Sequence, residues 1–144
     1  MTSKKTSILK NKTLIIGCGR LGASIANKDS SIGKNVLVVD VNPDSFDNLS
    51  EGFSGYTVSG DVTDLSVLEE AYITSAKEVI ITTGSDTVNV FLAYVAREIY
   101  NVPNIYVRLD DPSLETLLRG LNVHAIFPFE LSLDKFLLMR GGNK

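Results

Sequence analysis

The chain has 144 residues, of which 44% are hydrophobic and 22% charged, with 11 glycines, 4 prolines and a formal net charge of −3. A domain of this length buries roughly 70% of its unfolded surface, so a core can form without disulfides or metal. The composition excludes whole-chain disorder, collagen and coiled coil, and the negative charge argues against a nucleic-acid partner, which needs a basic surface.

Residues 1–12 carry Lys4, Lys5, Lys10 and Lys12 and no acid. They lack the apolar core and small-residue cleavage site of a signal peptide. A disordered basic tail is expected there; a weak electrostatic arm toward an anionic membrane is the sharper alternative. The one cysteine, Cys18, cannot form an internal disulfide, so a reducing cytoplasm fits best. Apolar stretches such as 87–96 fall short of the roughly 20 residues that cross a bilayer.

From residue 13 to about 140, short β-branched runs alternate with helical patterns. Strands are predicted at 13–17, 35–40, 55–59, 78–83, 105–109 and 125–127. Helices are predicted at 20–29, 43–51, 64–72, 86–100, 112–121 and 130–139. Runs such as Val36, Leu37, Val38 and Val39 belong to strands covered on both faces. Pro43 after Asn42 suits a helix start. Asp64 or Thr63, Ser85 or Asp86, and Asp111 are placed to cap the later ones, and Gly120 suits a helix end. Five right-handed β–α–β steps make one α/β domain: a doubly wound Rossmann fold, six parallel strands with helices on both faces.

Gly17-Cys18-Gly19-Arg20-Leu21-Gly22 is a GxGxxG run between the first strand and the first helix. That context is what a dinucleotide fingerprint requires. Gly17 permits the turn, Gly19 lets backbone approach a pyrophosphate, and Gly22 allows helix–strand contact. The helix start then attracts the anion. Asp40, 18 residues past Gly22, can accept from ribose hydroxyls; the plain alternative is a turn with Asp40 capping the next helix. A carboxylate there repels a 2′-phosphate and no Arg follows it, so NADP is disfavoured. NAD, ATP, ADP and AMP stay undecided. Arg20 is either a reader of terminal phosphates or an exposed first-turn residue. Cys18 is either a small loop residue or a reactive thiol at a helix start.

Further along, Gly60-Asp61-Val62-Thr63-Asp64, then Thr82-Thr83-Gly84-Ser85-Asp86 with Asn89, then Val107-Arg108-Leu109-Asp110-Asp111-Pro112, and Gly120-Leu121-Asn122-Val123 leading to Pro128, form an ordered series. Together with the glycine run, it resembles the N-terminal lobe of the regulator of potassium conductance (RCK) domain, the TrkA-N module of Trk and Ktr systems. The resemblance spans about 12–140. It implies a non-catalytic regulator of potassium transport that binds NAD(H), ATP or ADP. It also implies assembly as a dimer or ring beneath a membrane-embedded transporter or channel subunit, hence a place at the inner face of the plasma membrane. By position, Gly17, Gly19, Arg20, Asp40, Asp61, Val62, Thr83, Gly84 and Arg108 would line the cleft.

Asp61 would then meet the adenine amino group, or merely serve its own turn. Arg108 would neutralise phosphate, or pair with Asp110 or Asp111. Asn89 is expected to serve its own helix start. With the resemblance running to about residue 140 of a sequence given to Lys144, the second lobe that many members carry is not expected within these residues. The chain also reads Pro128-Phe129-Glu130 where members commonly have Pro followed directly by Glu, which puts a cation role for Glu130 in doubt.

Two competing readings are an NAD-dependent oxidoreductase fragment and a stand-alone adenine-nucleotide sensor. Against the oxidoreductase, the nucleotide fold consumes nearly the whole chain. The one histidine, His124, reads as structural rather than as a general acid. The last helix, 130–140, is apolar on most sides, with Leu131, Leu133, Phe136, Leu137, Leu138 and Met139. It is expected to pack on a twin in a homodimer, the alternative being full burial within one monomer.

Overall fold

In the computed structural model, which describes residues 12–141, the apolar runs become the strands of one sheet. They are β1 (Lys12–Ile16), β2 (Asn35–Asp40), β3 (Tyr56–Ser59), β4 (Ala76–Ile81), β5 (Asn104–Arg108) and β6 (His124–Ile126). All neighbours pair in parallel, in the order β3-β2-β1-β4-β5-β6. The winding therefore reverses between β1 and β4, at the centre of the sheet. In such sheets the crevice at the reversal, beyond the strands' carboxyl ends, is where ligands bind.

Both faces are covered, as continuous apolar runs require. On one face α1 (Arg20–Ser31) lies over Ile15, Val36, Val38 and Ile80. Its buried residues are Gly22, Ala23 and Ala26, so the helix approaches closely. On the other face α2 (Leu65–Glu70) and α3 (Asp86–Tyr94) cover Leu14, Ile16, Val39, Val79 and Ile81 with Leu68, Leu92 and Ala93. Each such Leu or Ile, fully buried, stabilises the fold by about 1.5–3 kcal/mol. Caps sit where the sequence places them: Asn42 accepts from Asp44 N–H, Asp64 from Ser66 N–H, Ser85 from Val88 N–H and Asp111 from Ser113 N–H.

Several boundaries differ from the sequence reading, each for a local reason. Lys12, read as tail, is the first residue of β1; its ammonium lies 4.7 Å from the Tyr72 ring centroid, and burial lowers its pKa. The remainder of the expected tail lies outside the described residues. The elements at 43–51 and 112–121 are short 3-10 helices, Pro43–Asn48 and Pro112–Leu118. The first buries no residue and the second only Leu118, so neither has the apolar stripe that would stabilise an α-helix. After the second, Gly120 (φ 82°) and Asn122 (φ 60°) turn the chain sharply into β6.

The 86–100 helix changes pitch: α3 passes into one π turn, Val95–Ile99. Arg97 in that turn fans its guanidinium over three backbone carbonyls, those of Leu121 (3.1 Å), Val102 (2.8 Å) and Asn122 (2.8 Å). One side chain thus ties the end of α3 to the approaches of β5 and β6.

The last helix, α4 (Pro128–Met139), starts two residues before the predicted 130 because Pro128 occupies its first turn. None of its residues is buried. Phe129, Leu131, Leu133, Phe136, Leu138 and Met139 are 44–70% exposed. Full burial of this helix within one monomer is therefore ruled out.

Candidate functional site

The glycine run forms a turn wedged between the ends of β2 and β4. Gly17 leaves β1 with φ 103°, a region that only glycine enters freely. A Cβ there would stand 2.7 Å from the carbonyl carbon and oxygen of Thr82. Gly22, inside α1, is tighter: its Cβ would meet Gly17 O at 2.0 Å. The Gly17 N–H donates to Val39 O (2.8 Å), and the Thr82 hydroxyl donates to Gly17 O (3.1 Å). Gly19 precedes α1 with open space where a side chain would be, no side-chain cap covers the helix start, and no acid sits in its first turn. The free N–H groups and the helix dipole there suit an anion.

Asp40 anchors this turn. Its Oδ2 accepts from Cys18 N–H at 2.7 Å, and its Oδ1 accepts from Asn42 N–H at 2.8 Å. Asp40 therefore does not cap the next helix; Asn42 does. Each carboxylate oxygen has a second lone pair, so hydroxyl donors can still be accepted. Asp61, past β3, accepts on Oδ1 from both the backbone N–H (2.9 Å) and the hydroxyl (2.7 Å) of Thr63. Those two bonds, the hydroxyl's first, hold its carboxyl below the usual range. Among the described residues no donor reaches its Oδ2.

The opposite lip is built around Asn89, a fully buried polar side chain on α3. Its Oδ1 accepts from the N–H (3.2 Å) and the hydroxyl of Thr83, and its Nδ2 donates to Thr83 O (3.1 Å) and Arg108 O (2.8 Å). Asn89 thus ties the ends of β4 and β5 together, while Ser85 caps its helix. Arg108 Nη2 donates to Thr83 O at 2.8 Å, and its Nε lies 3.7 Å from Asp110 Oδ1.

Between these lips lies a cleft of roughly 670 Å³, within the size range of small-molecule sites. It brings together Gly17, Gly19, Asp40, Asp61, Val62, Thr83, Gly84 and Arg108 of the residues expected from sequence. Four others fall outside the lining. Gly22 and half-buried Leu21 pack α1, Arg20 is exposed on its first turn, and the Cys18 side chain is fully buried in the core beneath α1. Burial and, secondarily, the Asp40 charge push the Cys18 thiol up to about 11. It is a neutral core group, which overturns the reactive-thiol alternative. The sequence reading missed Val41, Ser45, Thr63, Thr82, Ser85 and Val88. All lie one to seven residues after β2, β3 or β4 ends, so that position was the available signal. His124 begins β6 at the sheet edge, in register with Tyr106, and stacks on that ring at 5.0 Å between centroids; it is not among the residues that line the cleft. Among the described residues no group of histidine, cysteine and acid side chains could hold a metal.

The TrkA-N domain family model matches residues 13–128. A Trk system potassium uptake protein TrkA from Streptomyces coelicolor is 32% identical over 124 residues, 86% of this chain and 56% of the relative. A TrkA homolog from Pyrococcus horikoshii is 35% identical over 110 residues, 75% of this chain and 47% of the relative. The chain thus spans about half the length of these relatives. Among solved structures, the TrkA-N domain of the inner membrane protein ybaL from Escherichia coli superposes with a TM-score of 0.80 at 18% identity, covering 90% of this chain and 96% of that one. The GsuK channel bound to NAD superposes with a TM-score of 0.72 at 25% identity, covering 89% and 23%.

The environment of Cys18 has a measurable consequence. A thiol raised from 9.0 to about 11 gives stability that is complete below the unfolded value and lost as pH rises through the folded one. Denaturant midpoints should therefore fall between pH 9 and 11, and Cys18→Ala should flatten that fall. A thiol reagent at pH 8 should modify native Cys18 far more slowly than the urea-unfolded chain.

Proposed function

The chain belongs to the TrkA-N domain family, and from that premise we propose that it is a nucleotide-sensing regulatory domain of potassium transport. The carrying observation is the cleft at the β1–β4 reversal, with an uncapped helix start on one side and Asp40 tied to the glycine turn beside it. Phosphate sits on the N–H groups of α1's first turn. Asp40 accepts from ribose hydroxyls with its remaining lone pairs, and Asp61 Oδ2 accepts from the adenine amino group. Thr83, Gly84 and Arg108 line the part of the cleft that takes the remainder of the nucleotide, whether NAD(H), ATP or ADP. The reading is supported by the GsuK structures bound to NAD and to ADP.

The domain acts by binding, without catalysis. Cys18 is buried and neutral, and His124 lies on the edge strand β6, two strands away from the β1–β4 reversal, so neither lines the cleft. Its partner is a membrane-embedded potassium transporter or channel subunit at the inner face of the plasma membrane, where the domain is cytoplasmic. No helix among the described residues is long and apolar enough to cross a membrane. The exposed apolar side chains of α4 make the contact with a second copy, in a homodimer or ring.

Two measurements test this reading. Titration calorimetry should show NADH binding and NADPH weaker by about tenfold or more, one like-charge contact of ~1.4 kcal/mol; equal affinities would remove the role given to Asp40. Light scattering at micromolar concentration should show a dimer, and the pair Leu131→Glu with Leu138→Glu should give monomers of unchanged melting temperature. A wild-type monomer would sink the dimer.

A further inference from the structure

The charge around this cleft disfavours a terminal phosphate. The lining holds two carboxylates, Asp40 and Asp61, and one cation, Arg108. The acid excess continues around the mouth, where Asp44, Asp64, Asp86 and Asp110 follow β2, β3, β4 and β5. Among the described residues, Arg20 is the only other base on those loops and helix starts. The start of α1 supplies the equivalent of about half a positive charge. That suits phosphate diesters, which carry a single charge each. A terminal phosphate adds a group of about −1.5 to −2 charge, which this rim repels.

Arg108 is partly engaged within the protein. Its Nη2 is committed to Thr83 O, and its Nε is buried without a hydrogen-bond partner, 3.7 Å from Asp110 Oδ1. At that distance the two attract by charge but share no hydrogen bond. The backbone that carries Asp110 is fixed, its N–H donating to Asp86 Oδ1 at 2.8 Å while Asp111 N–H donates to Oδ2 at 2.9 Å. A lip anchored in this way keeps a carboxylate beside the one cation of the lining.

We propose that Asp110 determines specificity in this cleft: by holding Arg108 it withholds the lining cation, so that the diester phosphates of NAD(H) are accepted and the terminal phosphates of ATP rejected. Asp110 is a positioning residue, acting through Arg108 without touching the ligand. The proposal rests on the nucleotide reading given above and adds a rule of selection to it.

The test is calorimetric titration of the whole chain with NADH, ADP and ATP in the presence of a chelator, so that no divalent cation neutralises the phosphates. Wild type should bind NADH more tightly than ADP, and ADP more tightly than ATP. Asp110→Asn keeps the side-chain size and the backbone bond to Asp86, and should raise affinity for ATP relative to NADH by roughly fivefold, the upper end for an exposed pair. In an Arg108→Gln background the same substitution should leave that ratio within about twofold. Asp110→Ser, with unchanged melting temperature, should repeat the direction of the Asn variant. ATP binding as tightly as NADH to wild type overturns the proposal and leaves the nucleotide reading intact. So does an unmoved ratio in both Asp110 variants, or a full fivefold gain without Arg108. Absence of binding by all three nucleotides overturns the nucleotide reading and the proposal together.

Discussion

The site depends on how closely the turn after β1 approaches the end of β4. Gly17 crosses Thr82 where a Cβ would stand 2.7 Å from backbone, and Gly22 brings α1 within 2.0 Å, on the same measure, of the Gly17 carbonyl. Only glycine fits either place, because a clash with backbone cannot be relieved by a side-chain rotation. With α1 pressed down, its N–H groups open directly over the reversal between β1 and β4. Had the helix stood further out, the crevice would have no anion-binding wall.

Two polar ties then fix the lips. On one side Asp40 holds Cys18 N–H, and on the other Asn89 spans Thr83 and Arg108. Asn89 is fully buried, so an unpaired amide there would cost about 1–3 kcal/mol. In the native arrangement both ends of that amide are satisfied, and the lip is rigid before any ligand arrives. Binding to such a cleft loses less entropy in ordering the protein. Neither tie involves a surface ion pair, whose contribution would be small and screened by salt.

Much of this was legible in the sequence because several signals coincide. The β-branched runs, the glycine spacing and the caps at Asn42, Asp64, Ser85 and Asp111 all agree with one topology. Periodicity did not distinguish a 3-10 from an α-helix at 43–48 and 112–118, since both place every third or fourth residue on one side. β4 begins at Ala76 rather than 78 because Ala76 pairs with Lys12 across the ladder, a tertiary effect that overrides the weak strand preference of Ala, Lys and Glu. The glycine motif marked Cys18, Leu21 and Gly22 together with Gly17 and Gly19, though Cys18 and Gly22 are buried, Leu21 is half-buried on α1, and only Gly17 and Gly19 line the cleft. A motif records spacing, and spacing alone does not say which way a side chain points. Asn89 finds its partners at the ends of β4 and β5, which a linear reading does not join.

A nucleotide in this crevice places its phosphate on the start of α1. Amide hydrogen exchange of the chain with and without saturating NADH addresses it at residue level. Bound NADH should slow exchange at the amides of residues 19–22, 41, 42, 44, 45 and 83–85, with β6 and α4 unchanged. Unaltered exchange at 19–22, with protection arising elsewhere, would contradict it.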